Sequence, residues 1–389
     1  MAEISRKALI LPGAGARGAY QVGVLKAISR MLPKKAPNPF AVISGTSAGA
    51  INAAVIASRA GRFSSAIKEM ERVWANFTVG QVYRADSWTM LRSSLQCFFA
   101  SLGLQNPRAL LDNTPLRELL ARDIKFERIQ RAIERGHLEV LTITASAYSS
   151  AQSVSFFQGH KGLKSWARVR RCGRPAVIGL NHLMASAAVP FIFPAVKIGA
   201  EYYGDGAMRQ SAPLSSAIHL GADRMLIIGV DDERPDPEPN ADAPPETPSF
   251  AHLAGYMLDT LFMDGLYADL ERLNRINRIM EQIPDHVLEE RNSELRPLNT
   301  LIIAPKKDIR SVAERHLHEL PSAIRLLLRG VGATNRSGIQ LTSYLLFESG
   351  FTTELIEMGF QDAISMESDI KAFFCDGPIR VKESHDGRF

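Results

Sequence analysis

Short apolar runs alternate with longer amphipathic stretches along most of the chain. Aliphatic and β-branched runs predict strands over Lys7–Pro12, Ala41–Thr46, Glu139–Ala147, Val154–Gln158, Val196–Tyr203, Arg224–Val230 and Thr300–Ala304. Several are apolar throughout rather than alternating, the pattern of strands buried on both faces. Apolar residues at helical spacing predict helices over Ala19–Met31, Ala48–Ala60, Ser64–Asn76, Thr114–Leu120 and Pro213–Leu220. Such strand–helix alternation predicts a three-layer α/β/α fold around a mainly parallel sheet.

The pattern is interrupted at Glu233–Ser249, ERPDPEPNADAPPETPS, where acid and proline replace apolar residues. That composition belongs to a flexible insertion or linker. Beyond it, Leu253, Met257, Leu261, Leu266, Leu270, Leu273, Ile276 and Met280 recur at helical spacing, predicting one long core-facing amphipathic helix over Phe250–Ile283. Thr300–Ala304 then resumes the buried-strand pattern. The chain therefore reads as one domain over 5–310 with an insertion at 233–249, and a helical C-terminal extension over 311–389. Trp88–Leu104, WTMLRSSLQCFFASLGL, carries a single charge, Arg92. It reads equally as a buried core helix and as a lid or membrane-docking surface.

Composition narrows the class. At 389 residues, 46% hydrophobic and 22% charged, the chain is an ordinary globular one. Phe40–Ser58 is uncharged and long enough to span a bilayer, but its SGTSAGAIN centre is small and polar, so it reads as strand, turn and helix. Ala8–Leu11 is too brief for a signal-peptide core. Cys97, Cys172 and Cys375 are odd in number and widely spaced. They suit neither a disulfide framework nor a zinc site, and favour a reducing, cytoplasmic setting. The net charge of +5 is uneven: no acid lies between Glu3 and Glu69, while ten Lys and Arg do. A solvated basic face is the ordinary reading, and peripheral contact with an anionic membrane the sharper one. No nucleic-acid-binding signature accompanies it, and no calcium-loop pattern occurs.

Three turns carry the chemistry. The first, GAGARG at 13–18, fits the dinucleotide fingerprint G-x-G-x-x-G. A Rossmann site needs an acid at the end of the following strand, and here that region has none. NADP, whose extra phosphate takes Arg or Lys, is weakened less than NAD, and no G-K-[ST] makes the turn a P-loop. The remaining use is as a backbone N–H array facing an oxyanion. The second turn, Gly45-Thr46-Ser47-Ala48-Gly49, is G-x-S-x-G between a strand and a small-residue helix, the setting of a nucleophile elbow. The third, YYGDGA, sets Asp205 between glycines after a strand-like run, where it could serve Ser47 as base.

In this order, GAGARG, GTSAG and DGA resemble the patatin-like phospholipase family. ASAAVPFIFP at 185–194 resembles the stretch before its aspartate motif, and SYLLFESGFTTELIEMGFQDA at 343–363 is similar to the tail of bacterial members. The resemblance implies hydrolysis of lipid or phospholipid acyl esters by a Ser–Asp dyad, with no cofactor, metal or catalytic histidine. It makes Ser47 the nucleophile and Asp205 the base. Gly13, Gly15, Ala16, Arg17 and Gly18 take the oxyanion-loop positions, and Gly45 and Gly49 flank the elbow. Two positions depart from the commonest family pattern: Ala14 replaces a glycine, and Ala207 the second glycine of DGG. Arg17 either neutralises a lipid phosphate or braces its own loop, and bracing is favoured. The order Ser…Asp…His would also suit a triad through His219, but all nine histidines read as structural or surface residues. The rival functions are an NADP-binding oxidoreductase and a catalytically silent lipid-binding protein.

Overall fold

A computed structural model describes residues 5–84, 109, 111–231, 247–284, 296–335 and 338–375. Trp88–Leu104 and residues 233–246 of the Pro-rich insertion lie outside them. Among the described residues ten strands form one sheet in the order β10-β9-β1-β2-β3-β4-β6-β5, with a β7–β8 hairpin joined to β3. They are β1 Lys7–Leu11, β2 Val42–Thr46, β3 Val140–Ala147, β4 Ser153–Gly159, β5 Trp166–Arg168, β6 Arg171–Pro175, β7 Val196–Ile198, β8 Glu201–Asp205, β9 Arg224–Ile228 and β10 Asn299–Ile303. The run from β10 to β3 is parallel throughout. Its central strands β1, β2, β3 and β9 are buried along almost their whole length, as their unbroken apolar runs require.

The helices that bear on the site are α1 Gly18–Met31, α2 Ala48–Ser58, α3 Phe63–Trp74, α4 Thr114–Asp123, α5 Leu180–Ser186, α6 Phe250–Asp259, α7 Gly265–Met280, α8 Ile339–Leu345 and α9 Ser349–Ile364. Helices flank the sheet in a three-layer α/β/α arrangement, and α9 packs along α1. No helix among the described residues is long and apolar enough to cross a membrane. Phe40–Ser58 is β2, a turn and α2.

Two sequence expectations are corrected, and one strand pair is added to them. The Val196–Tyr203 strand is two strands, because Gly199 at φ 63° turns the chain back on itself. The β5–β6 pair carries Arg168, Arg171 and Arg174 and so lacks the apolar run that marks a strand; it is nonetheless paired at the sheet's far edge. The Phe250–Ile283 helix is not continuously core-facing. A π-helical turn at Thr260–Asp264 separates α6 from α7. Such a turn adds a residue to one helical repeat and so rotates the apolar stripe. Leu253, Met257 and Ile276 are left exposed.

Candidate active site

The site is assembled where β1 and β2, neighbouring parallel strands, each end in a glycine-rich turn. Ser47 follows β2 at φ 54° and ψ −127°, a conformation non-glycine residues rarely adopt. Holding it there costs of the order of 1–3 kcal/mol, so the surroundings must impose it. The Ser47 carbonyl accepts the first α2 hydrogen bond, from Ala50 N–H at 2.9 Å. Its own N–H donates to Ser186 Oγ at 2.9 Å, and the Ser186 hydroxyl donates to the Thr144 carbonyl of β3 at 2.6 Å. Gly45 and Gly49 contribute space, since neither has a positive φ. A Cβ on Gly49 would lie 2.1 Å from the Leu11 carbonyl oxygen, and one on Gly45 would lie 2.6 Å from Ala50 Cα.

Asp205 reaches Ser47 through strand register. Thr46, the last residue of β2, is opposite Thr144 of β3, and Asp205, the last of β8, is opposite Ala145. Strands β2 and β8 thus approach end to end along β3. The serine that follows one meets the aspartate that ends the other. Asp205 Oδ1 accepts the Ala207 N–H at 2.9 Å. Oδ2 makes no hydrogen bond of ordinary geometry, yet the Ser47 hydroxyl is close enough to draw the carboxyl's pKa down. Burial outweighs both contacts and pushes that pKa up to about 7.

The loop after β1 lies beside this pair. Gly15 at φ 50° opens a single 3-10 turn that leads into α1. Arg17 N–H is spent inside the turn on the Ala14 carbonyl at 3.0 Å, and Gly18 N–H is also spent there. Of the five loop positions expected to offer donors, Gly13, Gly15 and Ala16 are those whose N–H groups the turn leaves available. Ala14 has φ −151° and ψ −16°, so no positive φ requires the glycine it replaces. Ala207 keeps the N–H that Asp205 uses.

The fully buried Arg17 side chain turns away from the pair and braces the loop. Nε donates to Ser343 Oγ at 2.9 Å, and Nη1 lies 3.4 Å from both Asp231 and Asp259. The guanidinium sits 3.9 Å from the centre of the Tyr344 ring, and the Tyr344 hydroxyl donates to Asp259. Burial opposes its charge, but Tyr344, Asp259 and Asp231 together hold its pKa above the ordinary arginine value. Phe262, from the π turn, stands against Gly13, and the Tyr344 carbonyl against Gly15. These residues pack closely over the loop, so its glycines leave no room there for a side chain. From Ser47 an apolar cavity extends among Ile51, Trp74, Phe77, Phe193 and Phe347.

Among the described residues no histidine contributes to the electrostatics of Asp205. His219 packs on Trp166, 4.5 Å between ring centres, beside the β5–β6 arginines. His316 bridges Glu319 and Glu354 at 2.7 Å each. Among the described residues no group of three or more His, Cys, Asp and Glu could hold a metal. Sequence reasoning missed Ser186 as the elbow's support and Asp231, Asp259 and Tyr344 as partners of Arg17. Ser186 lies inside the ASAAVPFIFP segment, the one trace of it in the sequence.

The family model described as Patatin-like phospholipase matches residues 9–218, more than half of the chain and inclusive of all three turns. Among solved structures, VipD from Legionella pneumophila is similar to it at 12% identity with a TM-score of 0.35, over 89% of this chain and 67% of that one. No curated protein sequence matches.

Proposed function

The chain belongs to the patatin-like phospholipase family, whose members act on lipid esters, and from that premise we propose that it cleaves fatty-acyl esters of lipids through a Ser47–Asp205 dyad. One observation carries this reading: a fully buried carboxyl with a pKa raised to about 7 faces the hydroxyl of a serine held at positive φ. An ordinary solvated aspartate is too weak a base at neutral pH, and one near 7 is matched to the task.

Ser47 Oγ attacks the ester carbonyl while its proton passes to Asp205 Oδ2. The oxyanion is received by N–H groups of Gly13, Gly15 and Ala16, with the first N–H groups of α2 behind it. Each such donor supplies roughly 3 kcal/mol. Asp205 then gives the proton to the leaving alcohol, and in the second half takes one from the water that releases the fatty acid. The acyl chain lies in the apolar cavity. Arg17, sealed between Asp231, Asp259 and Tyr344, holds the donor loop rather than a head-group phosphate.

The same reading includes peripheral membrane contact. Phe250, Leu253, Tyr256 and Met257 form one exposed face of α6. Leu258, on the same helix, lines the cavity. A lipid surface is the partner that suits an apolar face set beside an acyl pocket.

The test is intact-mass labelling with a fluorophosphonate in detergent micelles. Wild type gains one adduct and Ser47→Ala none. Absence of an adduct on folded wild type, in micelles and on liposomes alike, would leave a silent lipid-binding protein and overturn the proposal.

A further inference from the structure

The cavity at Ser47 has a second cavity behind it. Ile51, Trp74 and Phe77 line both. The second runs on between α3 and α4 among Val55, Met70, Leu119, Leu120 and Ile124, and reaches Glu69 and Asp123. These two acids are partly exposed and paired with Arg72 and Arg122, so they mark its outer end. From Ser47 to that end the lining is mostly apolar, and the three shared residues stand where the two cavities adjoin.

Those three residues are held unequally. Ile51 sits on α2, with its N–H on the Ser47 carbonyl at 3.4 Å, so it moves with the elbow. Trp74 is fixed by a hydrogen bond from Nε1 to Asn52 Oδ1 at 2.9 Å, and its carbonyl takes the Thr352 hydroxyl at 2.7 Å. The Phe77 side chain is buried against rings, at 5.0 Å to Trp74 and 5.9 Å to Phe347, and has no polar atom to pair. Unlike Trp74 it can be cut back without removing a hydrogen bond, and unlike Ile51 it does not sit on the helix that follows the elbow.

We propose that Phe77 sets the acyl-chain length this enzyme accepts: the chain of an ester bound at Ser47 fills the first cavity, and its methyl end stops at the Phe77 ring. The inference rests on the reading of Ser47 as the ester nucleophile. Removing the ring joins the two cavities and lets a longer chain continue towards α4. Each methylene that gains burial raises affinity roughly fourfold, so a few carbons suffice for a large change in preference.

The experiment compares wild type, Phe77→Ala and the milder Phe77→Leu on nitrophenyl esters of saturated acids from butanoate to stearate. In parallel, the free acids of the same series are measured for binding by displacement of a fluorescent fatty acid. Wild type shows an optimum followed by a sharp fall. Both variants move the optimum to longer chains and gain at least about tenfold on esters just past the wild-type limit. Adding Leu120→Trp to Phe77→Ala refills the second cavity and restores the original limit. Folded, active variants that keep the wild-type limit would overturn the proposal. If no protein cleaves any ester, the nucleophile reading fails instead, and the binding series still decides: a shift to longer acids upholds the wall, and an unchanged profile overturns it.

Discussion

Asp205 titrates on folding in a direction that works against stability. Its carboxyl moves from an ordinary 3.8 to about 7, so between those values the folded chain holds a proton that the unfolded chain has released. Stability therefore falls as pH rises through this window, by about 4 kcal/mol at 1.36 kcal/mol per pH unit. Asp205→Asn removes the dependence. Its melting temperature lies above wild type at about pH 8, and the gap closes as the pH approaches about 4. Equal melting temperatures at both ends would mean that the carboxyl is not buried as described. Ser186 is the second residue with a sharp consequence. Ser186→Ala leaves the Ser47 N–H and the Thr144 carbonyl without their partner, at a cost of about 2 kcal/mol in stability. Because the Ser47 backbone is strained, kcat falls about tenfold while KM changes little. A variant as active as wild type would show that the elbow holds itself. Ser47 and Asp205 stand out as candidates in the sequence because each sits in a local glycine pattern. Ser186 does not, since its role depends on a partner 139 residues away.

At the scale of elements, local patterning located the strands that end at the site. Lys7–Pro12 and Ala41–Thr46 are buried on both faces, so their apolar runs need no partner to be read. The same logic misled for Phe250–Ile283, because periodicity assumes one repeat throughout and the π turn at Thr260–Asp264 breaks it. That turn has two results. It places Phe262 against Gly13, and it turns Leu253 and Met257 outward. Replacing Phe250 and Met257 together by aspartate puts two charges on the exposed face of α6. Hydrolysis of anionic phospholipid vesicles falls by at least about tenfold, while hydrolysis of a soluble short-chain ester falls far less. Equal losses on both substrates would locate the effect in the fold instead of the lipid surface.

Across the whole molecule, the site depends on segments far apart in sequence. The β1 and β2 turns meet because their strands are neighbours, a topology that strand–helix alternation predicts. Asp205 joins them only because β8 runs antiparallel to β3 and stops where β2 stops. No local pattern encodes that register. The brace around Arg17 draws on residues 231, 259, 343 and 344, so the C-terminal half of the chain completes the loop begun at Gly13. The Gly-rich fingerprint alone allowed a cofactor loop. Phe262 and the Tyr344 backbone, from far along the chain, pack over it. The proposed function needs these segments to build a serine activated by a carboxyl, and among the described residues no histidine figures in the electrostatics of Asp205. The rate of Ser47 modification by a fluorophosphonate as a function of pH, for wild type and Asp205→Asn, reads that activation at its source. Wild type should show a single ionisation near pH 7, and the variant a rate at least about a hundredfold lower and flat with pH. An Asp205→Asn protein that reacts at the wild-type rate with the same pH profile would show that something other than Asp205 makes Ser47 reactive.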